Sequence, residues 1–206
     1  MVLQRYVRSK LCSSVSSNFY SHSNCTRRLI PKCLRDPKDL QALSRLGFHA
    51  GDVLNIHLPN TPEYGIAFNA AAALGGVVTT SNPMYTAEEL HHQLKDSKAK
   101  IILTAAPFKE LAEKAAQGTS VERIVLAGTA DDFSFAPGVQ FAGTPASVAA
   151  DTKKATVVMP YSSGTTGPPK GTMLSHSNLT SNVAQISTHP EFNLGMKQGD
   201  RVIGES

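Results

Sequence analysis

The 206-residue chain has no tryptophan, and aromatic residues make up only 6% of it. Stacking surfaces for bases are scarce and no basic run is interleaved with aromatics, which argues against nucleic acid as a partner. Only three cysteines are present, Cys12, Cys25 and Cys33. Their odd number and spacing fit neither a closed disulfide framework nor a zinc site. Long apolar runs are missing too. The longest, 65–78, contains Asn69 and is too short to span a bilayer, and no apolar segment of signal-peptide length occurs near the start.

Acidic residues are absent from the first 35 positions, which hold seven of the twenty Lys and Arg. The formal charge of +4 therefore belongs to this leader, and residues 36–206 carry thirteen basic against sixteen acidic residues, a net of about −3. Residues 1–35 are basic, Ser-rich and acid-free, the composition of a mitochondrial transit peptide, and Arg5, Arg8 and Lys10 can share one helical face. A polar tail with no address is the competing reading, with cytoplasmic or peroxisomal location as the alternatives.

From residue 36 the pattern alternates helix and strand. Asp36-Pro-Lys-Asp starts a helix carrying Leu40, Leu43 and Leu46 and ending at Gly47. Val53 to Leu58 reads as a buried strand, and Thr61-Pro62 as an N-cap with proline at the first helical position. The Ala-rich helix that follows stops at Gly75-Gly76. Val77 to Thr80 is a strand, and Thr86 to Asp96 a helix with Leu90 and Leu94 inward. Strands at Ile101–Leu103 and Ile124–Leu126 flank a helix over Pro107–Gln117, and 131–146 is irregular. Val157–Tyr161 and Met173–Leu174 read as strands, and Ser177–Ser187 as a helix. Such alternation implies an α/β fold, a largely parallel sheet with helices on both faces.

The chemistry is concentrated in Met159-Pro-Tyr-Ser-Ser-Gly-Thr-Thr-Gly-Pro-Pro-Lys-Gly171. A strand leads into four hydroxyl residues, Ser162, Ser163, Thr165 and Thr166. Gly164 and Gly167 let backbone amides converge on an anion, and Lys170 supplies a positive charge beyond the stiff Pro168-Pro169 pair. These groups suit the phosphates of a nucleotide. Ordinary loops and linkers also use Ser, Thr, Gly and Pro. A P-loop NTPase is excluded: it needs Lys directly after the second Gly and a hydroxyl after Lys. Here two prolines intervene and Gly171 follows.

The run Ser162-Ser-Gly-Thr-Thr-Gly-Pro-Pro-Lys-Gly171 resembles the AMP-binding signature of the adenylate-forming superfamily, which includes acyl-CoA synthetases and 4-coumarate–CoA ligases. Further segments are similar: Gly51-Asp-Val-Leu-Asn-Ile-His-Leu-Pro-Asn60, the N-P-x-Y-T-x-x-E-L pattern from Asn82 to Leu90, Leu94 to Thr104, and Gly171 to Leu179. The likeness covers about residues 40–203, and its N-P-M-Y-T stretch leans towards the 4-coumarate–CoA ligase-like and medium-chain acyl-CoA ligase branch. It implies that 36–206 form a partial AMP-binding domain, part of the large N-terminal domain of such an enzyme. The implied reaction joins a carboxylic acid to AMP from ATP, releases pyrophosphate, and passes the acyl group to the thiol of coenzyme A. Ser162, Ser163, Gly164, Thr165, Thr166 and Lys170 would contact ATP, with Gly167 as the hinge, and Mg²⁺ would accompany the triphosphate.

The family's adenine-pocket, ribose-binding aspartate and catalytic lysine motifs are not found in these 206 residues, so no catalytic or metal-ligating residue is assigned. The isolated chain is expected to be inactive, with exposed sheet edges that favour aggregation. A non-catalytic fragment or nucleotide-binding module is the alternative reading. His176 follows the loop but reads as a cap or packing residue, and His57 as a satisfied strand residue. His91 and His92 are adjacent on a helix and point apart. Glu88 and Glu89 suit a helix start.

Overall fold

A computed structural model describes residues 42–127, 151–162 and 169–188, and in these the side chains of Pro62 and of 186–188 are not described. The leader, the beginning of the first helix, the 131–146 stretch, residues 163–168 and the segment after 188 lie outside the described residues. No helix among the described residues is long and apolar enough to cross a membrane.

Among the described residues, eight strands and four α-helices follow a helical turn at 42–45. They are β1 (Val53–His57), α1 (Pro62–Ala73), β2 (Val77–Thr80), α2 (Ala87–Ser97), β3 (Ile101–Thr104), α3 (Lys109–Ala116), β4 (Arg123–Leu126), β5 (Thr156–Val158), β6 (Tyr161–Ser162), β7 (Lys170–Gly171), β8 (Leu174–Ser175) and α4 (His176–Thr188). Six strands form one sheet in the order β4-β3-β1-β2-β5-β8, parallel throughout except for the β5–β8 pair. The remaining two, β6 and β7, make a separate antiparallel pair.

Strand order fixes where the helices go. The step from β1 to β2 runs one way across the sheet, and the steps from β2 to β3 and from β3 to β4 run the other way. With right-handed crossovers, α1 falls on one face and α2 and α3 on the opposite face. The packing agrees. Leu54, Ile56, Val78, Ile101, Leu103 and Val125 join Ala67, Ala70, Ala71 and Leu74 of α1 in one core. Ile102 joins Leu90 and Leu94 of α2 and Ala112 and Ala115 of α3 in the other, with Val53 and Ile124 packed beside them. Adjacent strand residues thus serve different cores, as a period of two demands. Leu90 and Leu94 are both fully buried, and each would contribute about 2 kcal/mol by leaving water.

The local signals explain the ends of the elements. Thr86 caps α2 reciprocally: its hydroxyl accepts from the Glu89 amide at 3.2 Å, and the Glu89 carboxylate accepts from the Thr86 amide at 2.8 Å. Thr61 is the N-cap of α1 and Pro62 its first residue, but the Thr61 hydroxyl makes no capping bond and is buried without a partner. The proline carries the start of that helix. Gly75 and Gly76 stop it for two different reasons. Gly75 sits at φ +78, a left-handed geometry that suits glycine after a helix. Gly76 is a contact: a Cβ there would lie 2.4 Å from two ring carbons of the buried Phe48 and 3.0 Å from the Asp52 carbonyl.

The expected strand Val157–Tyr161 is in fact two. β5 ends at Val158, Pro160 has no N–H to continue a ladder, and Tyr161-Ser162 pairs elsewhere. The Met173–Leu174 strand is displaced by one residue to Leu174–Ser175.

The end of the sheet at which β1 and β3 begin is tied by Asp52 and Lys100. The Lys100 ammonium donates to Asp52 Oδ2 and to the Gly47 carbonyl, both at 2.8 Å, and the His49 amide donates to the same carboxylate at 2.8 Å. Burial pushes the Asp52 carboxyl up, but the Lys100 and His49 hydrogen bonds and the attraction of both residues outweigh it and hold it below the usual carboxylate value of 3.8.

Two outcomes are expected. Gly76→Ala should lower unfolding stability by about 1–3 kcal/mol in urea titrations, because the added methyl would overlap the buried Phe48 ring and press on the Asp52 carbonyl, which accepts from the Val77 amide at 2.9 Å. The depressed Asp52 pKa adds stability that is complete above the unfolded value and lost as pH falls through the folded one. Asp52→Asn should therefore lower the Tm at neutral pH, and the gap from the unsubstituted chain should narrow as pH falls below the usual carboxylate value of 3.8.

Candidate functional site

The described ends of the hydroxyl-rich loop meet across the β6–β7 pair, in which Tyr161 lies opposite Gly171 and Ser162 opposite Lys170. The Thr172 amide donates to the Pro160 carbonyl at 2.9 Å and extends the ladder by one bond. Ser162 and Lys170 are both exposed, so a hydroxyl and an ammonium stand side by side and open to solvent. Among the described residues no carboxylate pairs with the Lys170 ammonium. Ser163, Gly164, Thr165, Thr166 and Gly167 lie outside the described residues.

The hairpin is closely packed at its base. A Cβ on Gly171 would lie 2.9 Å from Met159 Cγ and 3.0 Å from Cε2 and Cζ of Tyr161. The Tyr161 ring thus rests on the glycine backbone opposite, and its hydroxyl donates to Asp96 Oδ2 near the end of α2. Upstream, the Met159 amide donates to the Val78 carbonyl at 2.7 Å, and the Met159 carbonyl accepts from the Thr79 hydroxyl at 2.9 Å. Thr79 Oγ1 accepts in turn from Gln93 Nε2 at 2.8 Å, and the same amide nitrogen donates to the Thr80 carbonyl at 3.0 Å. Tyr85, Glu88, Glu89, His92 and Gln93 face Pro169 across a cleft of about 290 Å³. The loop therefore leaves the sheet after a parallel strand, where α/β proteins commonly bind ligands, and its base lies along α2.

Several polar residues on the α2 face are buried. Ser81 Oγ donates to Asn55 Oδ1 at 3.0 Å. The Thr104 hydroxyl donates to the His57 carbonyl at 3.1 Å, so in its 3.2 Å contact with His57 Nδ1 the ring is the donor. His57 is only half satisfied among the described residues, against the sequence expectation: Nε2 is buried with no hydrogen-bond partner there, and the ring packs edge-on to Phe108 with centroids 5.4 Å apart. Burial lowers its pKa; the Asn82 backbone acts in the opposite sense and does not prevail. His57 is a neutral core residue.

The other weighed residues have structural partners. His176 is the first residue of α4, half-buried, with its pKa lowered by burial. The cap of that helix is Ser175, whose hydroxyl accepts from the Asn178 amide at 3.3 Å while its own amide and hydroxyl donate to Asn178 Oδ1. His91 Nδ1 lies 2.9 Å from the Ala115 carbonyl and His92 is exposed towards the cleft, so the two do point apart. Glu88 lies 3.8 Å from Lys114.

Sequence reasoning missed Tyr161, Asp96, Gln93 and Thr79. The signal was faint but present: Gln93 and Asp96 are three apart on α2 and so share a side, and Tyr161 directly precedes the hydroxyl run.

The fold and loop define a class that known proteins share. A model of the AMP-binding enzyme family matches residues 41–204, and the chain belongs to that family. Among curated relatives, 4-coumarate–CoA ligase 5 of Oryza sativa subsp. japonica is 36% identical over 163 residues, covering 78% of this chain and 30% of that protein. 4-coumarate–CoA ligase 3 of Arabidopsis thaliana is 34% identical over 209 residues, 96% of this chain and 35% of that protein. Among solved structures, a long-chain-fatty-acid–CoA ligase of Archaeoglobus fulgidus superposes with a TM-score of 0.65 at 28% identity, covering 75% of this chain and 31% of that one. The chain spans about a third of the length of the relatives it matches.

Gly171→Ala should push the Tyr161 ring off its seat. Hydrogen exchange at the Thr172 amide should then quicken by about tenfold, with β1 and β3 amides unchanged.

Proposed function

We propose that this chain is the phosphate-gripping part of a carboxylate-activating ligase. The carboxylate oxygen of an organic acid attacks the α-phosphorus of ATP, the bond to the β-phosphate bridge breaks, and pyrophosphate leaves. The acyl-adenylate then passes its acyl group to the thiol of coenzyme A, releasing AMP. What carries this reading is the placement of Ser162 opposite Lys170, both exposed, at the mouth of the Ser163–Gly167 run in a chain of the AMP-binding family. The likeness to 4-coumarate–CoA ligases and to a fatty-acid–CoA ligase supports an aromatic or aliphatic acid as substrate.

Each residue has a stated role in this reading. Lys170 places a cation against the β- and γ-phosphates, where charge accumulates as pyrophosphate departs. The hydroxyls of Ser162, Ser163, Thr165 and Thr166 and the amides of Gly164 and Gly167 supply neutral donors. Preorganised donors of this kind typically contribute about a hundredfold each to rate. Hydroxyls, amides and an ammonium are the donors a phosphate tail takes, and Mg²⁺ would accompany that tail. That ion would screen the triphosphate. In isolation the chain is proposed to bind nucleotide without turning over an acid.

Equilibrium titration with Mg·ATP tests the reading. The 206-residue chain should bind, Lys170→Ala should weaken binding by about tenfold or more, and Lys170→Arg should recover part of it, as expected for one charge-assisted contact. A folded chain that shows no ATP affinity would sink the proposal. Pyrophosphate release with a panel of aryl and fatty acids should stay at background.

A further inference from the structure

Helix α2 holds the segment that launches the loop at two points one turn apart. Gln93 reaches the Met159 carbonyl through the Thr79 hydroxyl, and Asp96 Oδ2 accepts a hydrogen bond from the Tyr161 hydroxyl. The two helix residues are three apart and so lie on one side of α2, while Met159 and Tyr161 lie on either side of Pro160. The first anchor is internal, since Thr79 is fully buried and Gln93 is 2% exposed. The second is at the surface, where Asp96 is exposed and Tyr161 half-buried. Beyond them the chain is already in β6, with Ser162 next.

We infer that Tyr161 and Asp96 form a positioning clamp that fixes the phosphate loop on helix α2. The ring of Tyr161 fills the space over Gly171, so the hydroxyl–carboxylate bond orients both arms of the hairpin, β6 through its own backbone and β7 through the ring. Ser162 and Lys170 follow directly and take their positions from it. Neither clamp residue touches nucleotide. Their effect is to remove a swinging motion of the hairpin that would otherwise be lost on binding, which is the usual way preorganisation improves affinity. The Tyr161 hydroxyl is held in its protonated form by burial first and then by the Asp96 hydrogen bond and charge, so the donor persists far above the ordinary tyrosine range.

The affinity part of this inference rests on the nucleotide reading; the clamp does not. Tyr161→Phe keeps the ring and removes only the hydroxyl. Asp96→Ala removes the acceptor from an exposed helix position, where folding should be undisturbed. Asp96→Asn keeps an oxygen that can accept from tyrosine. Hydrogen exchange at the Thr172 amide should rise by about fivefold in Tyr161→Phe and in Asp96→Ala, the double variant should be no worse than either, and Asp96→Asn should return to the unsubstituted rate. Mg·ATP affinity should fall by a similar factor in the first three and recover in the last, with the Tm unchanged. Unsubstituted exchange rates in both single variants would overturn the clamp. Faster exchange with unaltered ATP affinity would overturn its positioning role. If the unsubstituted chain bound no ATP, the nucleotide reading would fall, and the exchange rates would still decide the clamp.

Discussion

The Thr79 hydroxyl is the point on which the rest of the structure turns. It is fully buried, donates to the Met159 carbonyl in the segment leaving β5, and accepts from the Gln93 amide of α2. One oxygen thus joins a central strand, the helix packed on it and the exit of the neighbouring strand. Its donor and one acceptor site are both used inside the protein, so valine at this position would fill the same space, take the hydroxyl donor from the Met159 carbonyl and leave the Gln93 amide nitrogen with the Thr80 carbonyl alone. Leaving buried polar groups unpaired costs about 1–3 kcal/mol each, more than a satisfied hydrogen bond contributes. The cost also has a direction: it falls on the segment that carries the hydroxyl-rich loop. Core and site are therefore coupled at this residue.

The two faces of the sheet are not equivalent. The α1 face is packed from alanines and leucines so closely that Gly76 is required beside Phe48. The α2 face mixes Leu90, Leu94 and Ile102 with Asn55, His57, Thr79, Ser81, Gln93 and Thr104, all buried. Among the described residues Asn55 Nδ2, His57 Nε2 and Gln93 Oε1 have no partner there. A core built only for stability would avoid such groups. Here one bond from that face, Thr79 to the Met159 carbonyl, runs to the loop base, and the hairpin meets α2 itself through Tyr161 and Asp96. Directional contacts fix position where apolar packing alone would allow the hairpin to slide.

Much of this was legible in the residues. The alternation of short apolar runs with helical periods pointed to the parallel sheet, Gly75 and Gly76 marked the end of α1, and Glu88 and Glu89 marked the start of α2. Local chemistry also misled. Thr61 before Pro62 has the look of a capping residue, yet its hydroxyl is buried and unbonded. Tyr161 read as the end of a strand because the β-type run continues through it, although Pro160 had already removed the N–H that pairing would need. The His57 environment depends on Thr104, 47 residues away, and the Tyr161 hydroxyl on Asp96, 65 residues away. No pattern of period two or 3.6 carries information over such distances. The hydroxyl run itself was plain, because a loop that must present many donors at once has to spell them consecutively.

How the loop is mounted bears on how it can work. In loops that open directly into a helix, the helix N-terminus helps hold the phosphate through its dipole and free amides. Here both described arms are strands, and the two-stranded β6–β7 pair offers almost no dipole of its own. In the proposed phosphate-binding role the fixed charge among the described residues is then a side chain, Lys170, which strand pairing puts opposite Ser162. A lysine on a free loop would lose side-chain and backbone freedom on meeting an anion. Fixed in a ladder whose far side rests on Tyr161, it keeps much of that loss from being incurred at binding. The clamp on α2 and the charge on β7 are thus two halves of one arrangement: without the first, the second has no fixed place to act.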